Sequence, residues 1–303
     1  MIERHTFNNT TWLDLMNPTP EEIREVFEEV HIPASFTHDL SSMTPRTETV
    51  IAKEAVKTTL DFPIVKRTDI SHPHEIKFIA TQSHLVTVRF EDMALIHSFK
   101  KEFEVIGILK RAGSRATGGH LFLALLLYIY EGLEGKLDHL EGRMQEIEQE
   151  LFAGNEHETL YQISEVGRRL IAFRQTMSAH NRALTVLKER IGDVFPKSYT
   201  RKLDPILMQY DHVTERATAL SRVLEILRDT DNALLSAKQN EIMKTLTIMA
   251  FITFPLTLMS SIFGMNTETM PIAGVSGDFW LIIGLMLLAS IGFFTYFRFK
   301  KWI

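Results

Sequence analysis

Cysteine is absent from all 303 residues, which excludes a disulfide framework and any thiolate metal site. The twelve histidines are scattered, with no His-x-x-x-His pair or other zinc spacing among them. Phosphate-loop, Gly-x-Ser-x-Gly and Rossmann patterns are missing. Neither an organic cofactor site nor a nucleophile with its base can be assembled, so no enzyme is expected. A basic excess is missing too: 33 Lys and Arg against 38 Asp and Glu give a net charge of −5, which argues against nucleic acid as a partner. Residues 1–10 carry no signal-peptide pattern, so the amino-terminal body is expected in the cytosol.

Two stretches near the carboxy terminus lack charge altogether, 245–263 and 279–297. Each holds about 19 residues, close to the ~20 that a helix needs to cross a ~30 Å hydrocarbon layer. A third apolar run, 121–130, is only about ten residues long and reads as a buried core helix. The connector 264–278 has no Lys or Arg and carries Glu268 and Asp278. Lys238 and Lys244 precede the first crossing, and Arg298, Lys300 and Lys301 follow the second. The positive-inside rule then puts both termini of a multi-pass membrane protein in the cytoplasm, with the connector outside; the plasma (inner) membrane is the expected location.

The fold class expected is an α+β cytosolic domain, a long helical stalk and two carboxy-terminal transmembrane helices. Residues 12–15 read as a strand, and Thr19-Pro20-Glu21-Glu22 opens a helix that runs to Val30. Stretches 50–60, 76–81, 85–90 and 93–98 are rich in β-branched residues and read as strands of a largely antiparallel sheet, with hairpins near Ser83 and Glu91-Asp92. From about Gly118 the period becomes helical. Leu133, Leu137, Leu140, Met144, Ile147 and Leu151 form a coiled-coil-like seam, broken at Ala153-Gly154-Asn155 before a second helix over 156–191. Val213, Ala217, Leu220, Leu224 and Leu227 begin a third, and neither Gly nor Pro occurs between Ile206 and Phe254. One helix over 204–262 would join the cytosolic body rigidly to the first crossing. The domains are thus 1–115, an α/β domain; 116–200, a helical hairpin; 201–263, a stalk continuing into the first crossing at about 245; 264–278, an external loop; 279–297, the second crossing; and 298–303, a basic cytosolic tail.

Along the first crossing Asn240, Met243, Leu246 or Thr247, Ala250, Thr253, Thr257, Ser260 or Ser261, and Gly264 recur at helical spacing. This stripe is polar or small and holds no carboxylate. Mg²⁺ gives up its water reluctantly, and rings of neutral oxygens can hold a hydrated divalent ion without trapping it. Two helices cannot enclose a pore, so several subunits must surround one axis. Small residues on a membrane helix serve helix packing equally well.

The stretches Asn240-Glu-Ile-Met-Lys-Thr-Leu-Thr-Ile, Pro255-Leu-Thr, Phe263-Gly-Met-Asn266 and Met270-Pro271 resemble the signature of the CorA-type magnesium transporters, and the order of elements agrees over the whole chain. The resemblance implies a homopentameric, funnel-shaped channel in the lipid bilayer passing Mg²⁺, and Co²⁺ or Ni²⁺, with Mg²⁺ also as the regulatory ion. It implies a selectivity filter at Gly264, Met265 and Asn266, and pore-facing Asn240, Met243, Leu246 and Thr257, with Met243 and Leu246 as hydrophobic gate; the stripe adds Ala250, Thr253 and Ser261 to the expected lining. Where the family commonly reads Met-Pro-Glu, this chain has Ile272 after Pro271, leaving Glu268 and Asp278 to attract cations. In the family, acids on the long helix meet acids of the neighbouring α/β domain, and Mg²⁺ between them shuts the pore. Tyr210-Asp211-His212 is similar to a family landmark, yet Met208 stands where an acid is expected. Asp211 or Asp204, with Asp69 or Asp61 opposite, are the candidates. Met265 favours magnesium over the zinc transporters of the same superfamily, which tend to vary that residue. A membrane-anchored coiled-coil scaffold without transport is the reading from another class; it predicts that Asn266→Ala changes nothing.

Overall fold

The computed structural model describes residues 1–7, 10–36, 40–44, 46–52, 54–63, 73–109, 117–153, 156–265, 277–300 and 302. Two units divide the chain, Met1–Arg228 and Asp229–Ile303.

In the first unit six strands form one sheet: β1 (Ile2–Phe7), β2 (Thr10–Met16), β3 (Glu48–Ile51), β4 (Val56–Phe62), β5 (His74–Ala80) and β6 (His84–Arg89), in the order β1-β2-β6-β5-β4-β3. Among the described residues only the β2–β6 pair is parallel. Alternation assigns the side chains. Trp12, Leu60, Phe62, Ile76 and Phe78 enter one core, while Leu13, Leu15, Ile79, Val86 and Val88 enter another. Helix α1 (Pro20–Val30) closes the second core with Ile23, Val26, Phe27 and Val30. Its start is a full capping box: Thr19 Oγ1 accepts from the Glu22 amide at 3.2 Å, and Glu22 Oε2 accepts from the Thr19 amide at 2.8 Å.

Three local readings change. The run 50–60 is two strands, because the chain turns around Glu54, where the Ala52 amide donates to the Ala55 carbonyl at 3.0 Å. β-branched content marks extended chain but not where it folds back. The segment 93–98 is not a strand; it opens helix α2 (Ala94–Leu109), so Glu91-Asp92 leads into a helix instead of a hairpin. Met93, Ile96, Phe99 and Lys100 are buried at steps of three and four, the helical period. The sheet also gains the edge strand β1 from the polar amino terminus.

Helices α3 (Gly118–Phe152) and α4 (Glu156–Arg190) follow, and the whole expected seam from Leu133 to Leu151 is buried. Gln162 bonds Glu150 beside the turn at 2.8 Å and Tyr130 bonds His180 far from it at 2.7 Å, so the two run antiparallel. The short α5 (Ser198–Lys202) precedes α6 (Asp204–Phe263). At 60 residues α6 is about 90 Å long, given ~1.5 Å per residue. Its first part buries Val213, Ala217, Leu220 and Leu227 in the larger core. Beside that seam Gln209 and His212 both donate to Glu134, and Arg216 pairs with Asp138 and Glu141.

The second unit holds the rest of α6 and α7 (Asp278–Phe299), each long and apolar enough to cross a membrane. Pro255 lies inside α6. It has no N–H, so the Phe251 carbonyl receives no ladder bond from it.

Candidate functional site: the exposed stripe of α6

Helix α6 touches α7 on one side, where the rings of Phe251 and Phe297 lie 6.2 Å apart and Ile248 is only 7% exposed. At ~100° per residue, the stripe from Met243 through Leu246, Ala250, Thr253, Thr257 and Ser261 to Gly264 falls on the opposite side. Met243 is 55% and Leu246 54% exposed, and Thr253, Thr257 and Ser261 are exposed too. Asn240 is exposed at the flank, about a quarter of a turn round by the same rotation. Phe254, four residues past Ala250 and 71% exposed, shares the stripe's side.

The hydroxyls show how this face can treat a cation. Thr247 donates to the Met243 carbonyl at 2.7 Å, Thr253 to Met249 at 2.7 Å and Thr257 to Thr253 at 2.9 Å. Each hydroxyl hydrogen is thus held by its own helix. The lone pairs that remain face outward as acceptors, the polarity that an ion's hydration water needs.

At the end of α6 the Gly264 amide donates to Ser260 at 2.9 Å and the Met265 amide to Ile262 at 3.2 Å, which tightens the last turn. A Cβ at Gly264 would stand 3.1 Å from the Ser260 carbonyl oxygen, so the turn leaves little room for a side chain. Among the described glycines only Gly277 (φ 98°), ahead of α7, is left-handed. Met265 is exposed. Asn266 and Glu268 lie outside the described residues, as does Asp69. Asp278 is the first residue of α7, its Oδ1 accepting from the Phe279 amide at 2.7 Å.

Of the candidate regulatory acids that are described, two sit on α6 and one on β4 of the first unit. Asp204 starts α6 and pairs with Lys188 at 3.1 Å, and Asp211 is exposed on the same helix. Met208, in the place of the expected acid, is 73% exposed. Asp61 lies on β4 directly across from Glu75, with Thr47 Oγ1 donating to it at 3.5 Å. Burial first, then the charge of Glu75, pushes its carboxyl up to about 6. Among the described residues no three His, Asp or Glu gather at a metal-binding spacing within one chain.

Two buried networks were not legible in the sequence. In one, the backbone carbonyl of Asp61 accepts from His180 Nε2 at 2.6 Å, and Tyr130 Oη lies 2.7 Å from His180 Nδ1. Burial pushes the imidazole down to about 4 against the pull of the carbonyl, so the ring is neutral, protonated at Nε2 and accepting at Nδ1. The ring lies nearly parallel, at 17°, to that of Tyr210 on α6. In the other, Asp14 accepts from Thr87 at 2.7 Å and Arg89 Nη2 at 3.1 Å and pairs with Lys100 at 2.7 Å. Burial pushes the Asp14 carboxyl up, but Arg89, Lys100 and Thr87 outweigh it and hold it below the usual range. Thr87 and Arg89 lie 73 and 75 residues from Asp14, and Tyr130 and Asp61 lie 50 and 119 from His180, beyond the reach of any local pattern.

The sequence model of a family described as CorA-like Mg²⁺ transporter protein matches residues 7–301. The cobalt/magnesium transport protein CorA of Methanocaldococcus jannaschii is 25% identical over 300 residues, covering 96% of this chain and 91% of its own. The magnesium transport protein CorA of Wolinella succinogenes is 23% identical over 319 residues, covering 99% and 93%. The complete structure of the CorA magnesium transporter from Methanocaldococcus jannaschii superposes with a TM-score of 0.84 at 21% identity, over 99% of this chain and 94% of that one. The shared fold is the one expected: an amino-terminal α/β domain, a long helix and two carboxy-terminal apolar helices that could cross a membrane.

Proposed function

The chain belongs to the CorA-like Mg²⁺ transporter family, and from that premise we propose that it carries divalent cations, Mg²⁺ foremost and Co²⁺ alongside, across the plasma membrane. The observation that carries this reading is the exposed face of α6 turned from α7, with hydroxyl hydrogens held inward and lone pairs outward. Such a face suits an ion that keeps its water. One chain supplies only one wall, so we take the working unit to be a homopentamer with five copies of α6 around an axis. The first unit and both termini lie in the cytoplasm, and residues 264–278 face outside.

In this reading Gly264, Met265 and Asn266 ring the outer mouth, and the Asn266 carboxamides meet the hydration shell of the incoming ion. Glu268 and Asp278 raise the local cation concentration. Asn240, Met243, Leu246, Ala250, Thr253, Thr257 and Ser261 line the path, with Met243 and Leu246 closing it by dewetting. Phe254 narrows it from the same side. Cytosolic Mg²⁺ bound between Asp211 or Asp204 of one subunit and Asp61 or Asp69 of the next would hold the assembly shut, since facing carboxylates repel until a divalent ion bridges them.

Growth rescue of a bacterium lacking Mg²⁺ uptake tests the function, with Asn266→Ala as control. Rescue by the wild type at low external Mg²⁺ and failure of the variant at equal membrane abundance are expected. Absence of rescue, together with no Mg²⁺ flux in vesicles, would overturn the reading.

A further inference from the structure

A cavity of about 760 Å³ opens within the second unit, at the carboxy-terminal end of α7. Its walls are Phe251 of α6, Phe293 and Phe297 of α7, and Trp302 of the tail. The tail wall is built: the Trp302 amide donates to the Phe297 carbonyl at 3.0 Å, and the two rings stack at 5.8 Å and 27°. Gly292 also lines the cavity, and a Cβ there would meet open space. Among the described residues one charged group lines it, Lys300.

An aromatic slot of this size falls within the range of small-molecule sites. Its position narrows the occupant. The slot lies at the basic end of α7, where Arg298 and Lys300 are exposed and aromatic rings cluster, the composition of a cytoplasmic membrane interface. Hydrocarbon fits the walls, and the Lys300 ammonium is complemented by an anion beside it. We propose that the slot binds an anionic phospholipid of the inner leaflet, one acyl chain between Phe251, Phe293 and Trp302 and the headgroup phosphate against Lys300. The bilayer supplies such lipids at the surface that attracts basic residues. The inference rests on α6 and α7 being membrane crossings.

The test uses the full chain with Trp280→Phe, so that Trp302 reports from the membrane while Trp12 stays buried in the first unit. The protein is reconstituted in phosphatidylcholine vesicles containing graded amounts of either phosphatidylglycerol or phosphatidylcholine with brominated acyl chains, which quench tryptophan. Saturable quenching is expected at about fivefold lower mole fraction of the phosphatidylglycerol, the equivalent of the ~1 kcal/mol that one basic residue gains at an anionic surface. Lys300→Gln should erase that preference while Lys300→Arg keeps it. Gly292→Leu should reduce quenching by both lipids. Equal quenching by both lipids in the parent protein, or a preference untouched by Lys300→Gln, would overturn the proposal. So would the absence of quenching by either, the result if a second copy of the chain fills the slot. Failure of the chain to float with the vesicles would instead remove the membrane crossings, and the lipid site with them.

Discussion

Thr257 donates its hydroxyl hydrogen to the carbonyl of Thr253, one turn earlier on α6, at 2.9 Å. The bond leaves the Thr257 oxygen as an outward acceptor. Thr257→Val preserves the shape and removes that acceptor. Mg²⁺ flux into vesicles is expected to fall roughly three- to tenfold, with Thr257→Ser near wild type, from the loss of about one neutral hydrogen bond to the ion's shell. Unchanged flux in the valine variant would take Thr257 off the path.

Asn266→Asp replaces a neutral carboxamide with a charge. The expected result is tighter binding and slower release, hence a lower half-saturating Mg²⁺ concentration together with a maximal rate lower by about tenfold. A variant that is both faster and weaker-binding would contradict an aquated ion at that ring.

Phe254 shares the side of Ala250 and Ser261 and is 71% exposed in the single chain. If it narrows the path, Phe254→Ala should raise flux at equal protein abundance, and Phe254→Trp should lower it. A pair of variants that both match wild type would place the ring against lipid.

The Asp61 carboxyl titrates near 6 in the folded chain, against an ordinary 3.8. Between those values the folded state holds more protons than the unfolded one, so stability falls as pH rises through about 4 to 6 and stays reduced above. Asp61→Asn abolishes that slope. Thermal unfolding of the full chain in detergent should show the variant equal to wild type near pH 4 and more stable near pH 7, by on the order of 1 kcal/mol after solvent screening. Parallel pH profiles would refute the assignment.

Asp14 has the opposite sign, since its folded carboxyl is held below the ordinary range. Its contribution is present at neutral pH and is lost as pH falls through the carboxylate range. Arg89→Met leaves the buried Asp14 with Lys100 and the Thr87 hydroxyl but without its guanidinium, and a loss of about 3–5 kcal/mol is expected in the same unfolding measurement.

Several elements were legible because their causes are local. The Thr19 cap with Glu22, the seam from Leu133 to Leu151 and the unbroken α6 follow from spacing within a few turns. The spacing of the candidate stripe could be laid on α6 for the same reason, its period being that of the helix. The errors came from windows too short to hold a period. Residues 93–98 span under two turns, and a window that short does not show the buried Met93–Ile96–Phe99 step, whose last member lies beyond it. The Asp14–Arg89 pair and the slot behind Phe297 depend on chain segments meeting after folding, and no local pattern announces either.

His180 spends both ring nitrogens inside the protein, one on the backbone of Asp61 and one on Tyr130, while its flat face lies along Tyr210. A β-strand terminus and the root of the longest helix therefore lean on a single uncharged imidazole that has no slack in either direction. A shift of the Asp61 backbone is therefore expected to reach Tyr210, the neighbour of Asp211, through that ring and without a change of protonation.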